Sequence, residues 1–371
     1  MRILFVSGVS VGGSWMSTNE LADALAARGH EVGVLGEAVD RTGRWMLEHR
    51  LTNGAVRFAG SPVAGPLRAA AARIGRRPHR ATRGSITTWS SVLVQNSLPA
   101  VLAEFRPEVV VASSIGRMAW RSTRDQLAAL GVPSVLYMRE ETAIGHLAIS
   151  DAPPDLLVAN SARNEVAAAE LGFTAHFVPS VIDLSRARVE STREVVLFIN
   201  PVEVSGRDVA VGIARACPDL RFAFSESWPL SAEERAWLDT ACAGLANIER
   251  RARVDDLRVL YGDAKVLLVP YRTNGRPRVI LEAGINGIPV LATDLPALTE
   301  AVGPGGVAVP VDAGPGEWAQ HLRDLLEPAR YDALVAAARE HATRDEVDPD
   351  VIVGRFEELV RPLVAGARGA A

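Results

Sequence analysis

Short β-branched and apolar runs alternate with alanine-rich stretches along most of the chain, and no other feature constrains its fold so tightly. In the first half RILFVSG, EVGVLG, EVVVAS, SVLYMR, DLLVAN and AHFVPS read as strands. Between them, NELADALAARGH and TRDQLAALG carry apolar residues at three- and four-residue spacing, the period of a helix. Such alternation predicts βαβ units, and so a parallel sheet covered on both faces.

The pattern then restarts. EVVLFIN, RFAFSES, NIERRA, KVLLVP, PVLATD and GVAVPV read as a second set of strands, separated by helices such as DVAVGIARACP, RPRVILEAGING and GEWAQHLRDLLE. Two such runs predict two doubly wound, Rossmann-like α/β domains, 1–185 and 186–345, joined through the polar segment VIDLSRARVESTRE at 181–194. A last helix within 346–371, VIVGRFEELVRPLVAG, has no strand after it and is expected to cross the domain boundary.

Charge and cysteine content narrow the function classes. The chain has 371 residues with 40 Lys and Arg against 44 acids, a net charge of -4, which argues against nucleic acid as the main partner. The 2 cysteines, Cys217 and Cys242, sit in apolar helical settings without CxxC spacing and read as buried thiols of a reducing compartment. MRILFVSG is too short for a signal-peptide core, and no apolar run reaches the roughly 18 residues of a membrane span, so a cytoplasmic protein is expected.

In doubly wound folds, ligands sit where glycine turns leave the carboxyl ends of strands and meet helix N-termini. With two domains, the expected site is the cleft between them. Three turns qualify. In SGVSVGGS, Gly12 and Gly13 let backbone approach a ligand before a helix expected near Ser17; the alternative is a plain strand-helix turn. In INPVEVSGRD, Asn200, Ser205 and Gly206 line the expected cleft and Arg207 opens a helix; the alternative is a loop capped by Ser205 or Asp208.

The third turn follows KVLLVP. With Pro277 at the first helical position and Asn274 or Gly275 as cap, a helix is expected over 276–286, stopped by Gly287. Arg276 and Arg278 place positive charge at the positive end of that helix, unfavourable by about 0.3–1 kcal/mol each when exposed unless an anion lies nearby. Glu282, further in, can accept hydrogen bonds from a hydroxyl pair.

Together, the GG loop with ALAARGHEV, then DLLVANSARNEVAAAELG, VPSVIDLSRAR and RPRVILEAGINGIPVLATDLPALTEAVG, resemble the GT-B glycosyltransferases, in particular the retaining group of family GT4. The resemblance runs along nearly the whole chain. It implies a GT-B fold, two Rossmann-like domains facing each other across a cleft, with the acceptor on the N-terminal and a nucleoside diphosphate sugar, UDP- or GDP-linked, on the C-terminal domain. It further implies that Glu282 holds the ribose hydroxyls, that the backbone at Arg278 and Val279 faces the diphosphate, and that Gly12 and Gly13 approach it from across the cleft. No cofactor and no metal are implied.

The departures lie in the same motifs. The first acid of the family's paired-glutamate motif is replaced by Asn274, and its phosphate-binding arginine and lysine by Asn200 and Ser205. Arg207, Arg276 and Arg278 are the available replacement cations for a leaving diphosphate. The family's N-terminal histidine has no clear match; Arg139 ends SVLYMR and Glu140 and Glu141 follow it, with His146 beyond. The two acids are candidate bases for an inverting reaction or else surface acids.

Between Arg68 and Arg83 lie six arginines and no acid, a solvated loop or a dock for an anionic acceptor or membrane surface. The expectation is a hexosyltransferase-like enzyme acting on a small molecule, such as a natural product, or a glycan, with at most weak membrane contact. The alternatives are an inactive nucleotide-binding relative and a sugar-nucleotide epimerase.

Overall fold

Val195, Leu197 and Ile199 face one apolar cluster while Val196 and Phe198 face another, so a five-residue strand is buried on both sides. This is why the strands read as unbroken apolar runs rather than alternating ones. A computed structural model describes residues 1–37, 43–139, 145 and 153–370. They form two units, Met1–Val181 with Pro349–Ala371, and Ile182–Asp348.

In the first unit the described strands are β1 Arg2–Ser7, β2 Glu31–Glu37, β3 His79–Arg83, β4 Ile86–Ser91, β5 Val109–Ser113, β6 Ser134–Met138, β7 Leu156–Ala159 and β8 Ala175–Phe177. Their order is β3-β4-β2-β1-β5-β6-β7-β8. All neighbours pair parallel except β3, which runs antiparallel along β4. The strand β3 corrects the expected loop within 68–83. Helix Ala64–Gly75 ends at Gly75, and HRATR follows as a fully exposed edge strand. Arg80 pairs with Glu104 at 2.8 Å and Arg83 with Asp23, so the edge is charged and unattractive to further strands.

The last helix, Pro349–Ala370, belongs to this first unit. Ile352, Val353, Phe356, Val360 and Val364 recur at helical spacing and close the core over Ile3, Phe5, Val109 and Tyr137. Phe356 stacks on Tyr137 with ring centroids 6.4 Å apart. Polar clasps secure it: Arg28 to Asp350 at 2.8 Å and His30 Nε2 to Glu357 Oε1 at 2.7 Å.

The second unit holds β9 Val195–Ile199, β10 Arg221–Ser225, β11 Ile248–Arg251, β12 Ala264–Val269, β13 Val290–Thr293 and β14 Gly306–Val309. They lie in the order β11-β10-β9-β12-β13-β14, all parallel. The chain therefore winds outward from β9 to one edge, then returns to start again at β12. All twelve strands expected from the sequence are present. Among the described residues no helix is long and apolar enough to cross a membrane.

Candidate functional site

Because the chain runs outward from β9 to one edge of the sheet and from β12 to the other, the carboxyl ends of these two neighbouring strands form the switch point at which doubly wound sheets bind ligands. The first loop, 200–206, is held tightly. Asn200 adopts a left-handed conformation (φ 61°), and its N–H donates to the Ser225 carbonyl at the end of β10 (2.7 Å). A short 3-10 turn, Glu203–Ser205, leads to Gly206 at φ 74°. A Cβ there would fall 2.0 Å from the Pro270 carbonyl oxygen, so only glycine lets this loop lie against the one leaving β12. The Arg272 N–H donates to the Val204 carbonyl (3.0 Å), and the Ser205 side chain lies beside the Tyr271 phenol. Burial pushes that phenol up to about 12.

Several polar groups in this corner have no partner among the described residues. Asn200 is 2% exposed, and neither its Oδ1 nor its Nδ2 makes a hydrogen bond. Ser225 Oγ, equally buried, makes none. Arg207 opens helix Arg207–Ala216, lies 4.3 Å over the Trp237 ring, and has a buried Nη1 without a partner. Beside these strand ends is a cavity of about 270 Å³ lined by Pro201, Phe224, Glu226, Leu230, Arg251 and Ala252, among others.

The second loop differs from expectation. The helix spans only Val279–Gly284, with Arg278 at its N-cap and no side-chain cap. Asn274 does not cap it: Asn274 Oδ1 accepts from the Ala297 N–H (2.9 Å) and so serves the neighbouring helix Pro296–Val302. Arg276 is tied to Glu300 of that same helix at 3.3 Å. With 274–276 committed there, the helix cannot start until 279, and it also ends early, at Gly284, with a turn carrying the chain on to Gly287 (φ 60°).

Glu282 is enclosed, 3% exposed. Arg278 Nε donates to its Oε1 and the Tyr261 hydroxyl to its Oε2, both at 2.8 Å. Burial first, and then the carboxylate, push the Tyr261 phenol well above its ordinary value, so it stays a donor at neutral pH. The arginine thought to be unfavourable at a helix start is thus held by a carboxylate one turn later.

In the first unit, helix Gly12–Ala27 starts at Gly12 rather than near Ser17, so Gly12 and Gly13 form its first turn. Gly12 has φ 82° and open space where a Cβ would stand, so its conformation, not a close chain approach, calls for glycine. Arg139 is 5% exposed, its guanidinium lying 4.1 Å over the Tyr137 ring and donating to Ser180 Oγ at 2.7 Å. Glu140, Glu141 and His146 lie outside the described residues. Cys217 is buried and Cys242 half-buried, and burial pushes both thiols up.

The second unit thus gathers Asn200, Ser205 and Arg207 at the end of β9, and Asn274, Arg276, Arg278, Val279 and Glu282 after β12. Sequence reasoning missed Ser225, Tyr261 and Tyr271. Ser225 ends RFAFS level with Ile199, next to Asn200, a signal available from strand alignment alone. Tyr261 reads as core, and its partner is 21 residues away.

Residues 215–328 match the family described as glycosyl transferases, group 1. The chain has the GT-B fold. Sucrose-phosphate synthase from Thermosynechococcus elongatus superposes with a TM-score of 0.76 at 16% identity, covering 99% of this chain and 100% of that one. HepE of Anabaena, solved in complex with UDP, gives 0.70 at 14% over 98% and 100%. AviGT4, a glycosyltransferase involved in avilamycin A biosynthesis, gives 0.60 at 19% over 98% of both chains. No curated protein matches in a sequence search. This GT-B chain shares with its structural neighbours the two parallel-sheet units described above.

Proposed function

We propose that the chain is a glycosyltransferase that takes its sugar from a nucleoside diphosphate sugar, UDP- or GDP-linked, held by the second unit without a metal. The observation that carries this reading is the switch point at the ends of β9 and β12, where Arg207, at the start of helix 207–216, has a buried Nη1 with no partner among the described residues. Transfer breaks the bond between the anomeric carbon and the diphosphate and forms one to an acceptor oxygen, so negative charge grows on the leaving diphosphate. A guanidinium and a helix N-terminus are suited to stabilise it. Arg276 and Arg278 each pair with an acid, which leaves Arg207 as the foremost replacement for the missing cations. The acceptor is a small molecule or glycan, and Glu140 or Glu141 is the base if the reaction inverts.

Solved neighbours support the donor class: HepE was crystallised with UDP-glucose, and TarM with UDP and α-GlcNAc-glycerol. A second reading, nucleotide binding without transfer, is favoured by Asn274, whose side chain caps a helix where the resemblance places an acid. Calorimetry with UDP and GDP, followed by product analysis with a panel of nucleotide sugars, separates the two. Binding with release of nucleoside diphosphate and a glycosylated product supports transfer, binding alone supports the second reading, and no binding sinks both.

A further inference from the structure

We infer that Asn200, together with Ser225, reads a neutral part of the ligand, a group presenting a hydrogen-bond donor and acceptor side by side, rather than its phosphates. This deepens the nucleotide-sugar reading and rests on it. Asn200 is 2% exposed at the carboxyl end of β9, beside its parallel neighbour β12, and both ends of its amide lack partners among the described residues. Native interiors pair such groups, and leaving them unsatisfied is costly. Ser225 Oγ, a few ångströms of backbone away through the 2.7 Å bond from Asn200 N to Ser225 O, is buried and unpartnered too.

The chemistry of the pair selects the ligand. An amide offers a donor at Nδ2 and an acceptor at Oδ1. A phosphate oxygen accepts only, so it would satisfy Nδ2 and leave Oδ1 facing negative charge. A group carrying N–H beside C=O, or a sugar hydroxyl that both donates and accepts, satisfies both ends. The two sources are the amide edge of a nucleobase and the hydroxyls of the transferred sugar.

Left-handed backbone offers a competing reason for asparagine, since it tolerates φ near 60° better than most residues. Glycine tolerates it equally, so Asn200→Gly keeps the turn and deletes the amide. Binding of uridine, UDP and UDP-glucose, and of guanosine, GDP and GDP-mannose, is followed by ligand-observed NMR and calorimetry on the full chain. The variant is expected to melt at or above the wild-type temperature and to bind about tenfold more weakly. Weakening of nucleoside, diphosphate and sugar nucleotide alike assigns the amide to the base; weakening confined to the sugar nucleotide assigns it to the sugar. Ser225→Ala is expected to weaken the same ligands by a smaller factor.

Unchanged binding of every ligand overturns the inference, as does weaker UDP or GDP binding with the nucleoside unaffected, because that loss belongs to the phosphates. If the wild-type chain itself binds none of the six, the nucleotide-sugar reading falls and this inference with it; if wild type binds and the variant matches it, only the inference falls.

Discussion

A carboxylate closed off from water has to be held by donors, and at Glu282 there are two, Arg278 Nε and the Tyr261 hydroxyl. Taking one member from such a buried pair leaves the other charge uncompensated, which costs more than the intact pair contributes. Glu282→Ala is therefore expected to lower the stability of the second unit by about 3–5 kcal/mol in denaturant unfolding. Tyr261→Phe, which removes a donor but no charge, is expected to cost about 1–3 kcal/mol. A Glu282→Ala protein of wild-type stability would sink this account of the residue. Any loss of nucleotide binding in that variant has to be read against the unfolding curve first, because both oxygens of this carboxylate are already held by protein donors.

Among the elements, the 200–206 loop and the segment after β12 are joined at Gly206, where a methyl group would fall 2.0 Å from a carbonyl oxygen. Gly206→Ala combines that overlap with a left-handed backbone and is expected to cost at least about 1–3 kcal/mol and to weaken nucleotide binding. A chemical-denaturation midpoint together with a UDP titration checks both; an unchanged midpoint would mean that the loops separate without penalty. The glycine could be placed in the turn from the sequence, because SGRD follows a strand and precedes a helix. Its contact with Pro270 could not, since the two are brought together by β9 pairing with β12. The same limit explains Asn274: its true partner, Ala297, lies 23 residues on, and local cap statistics point instead to the helix just after it. The strand β3 escaped notice because HRATR is exposed throughout and shows no apolar alternation. The strand β4 escaped notice too, because the Thr and Ser residues of ITTWSS leave no apolar run; most of the other strands were legible from composition, since burial on both faces leaves a run that few other structures produce.

On the scale of the whole molecule, the first unit is assembled from two distant stretches, Met1–Val181 and Pro349–Ala371. Phe356, fully buried against Tyr137, is the centre of the joint. Phe356→Ala is expected to destabilise this unit by about 3–5 kcal/mol. Hydrogen exchange should report it as faster opening of β1, β5 and β6, and unaltered protection there would show that the helix is dispensable to the core. Chain order then has a consequence during synthesis. When the first 181 residues have left the ribosome, the face formed by Ile3, Phe5 and Val109 has Leu21 and Leu25 against it but still lacks the rest of its cover, which arrives only after the whole second unit has been made. The later-encoded unit is uninterrupted and can finish folding first, so the nascent chain matures in the reverse of its written order and carries an apolar face in need of protection until its last helix emerges.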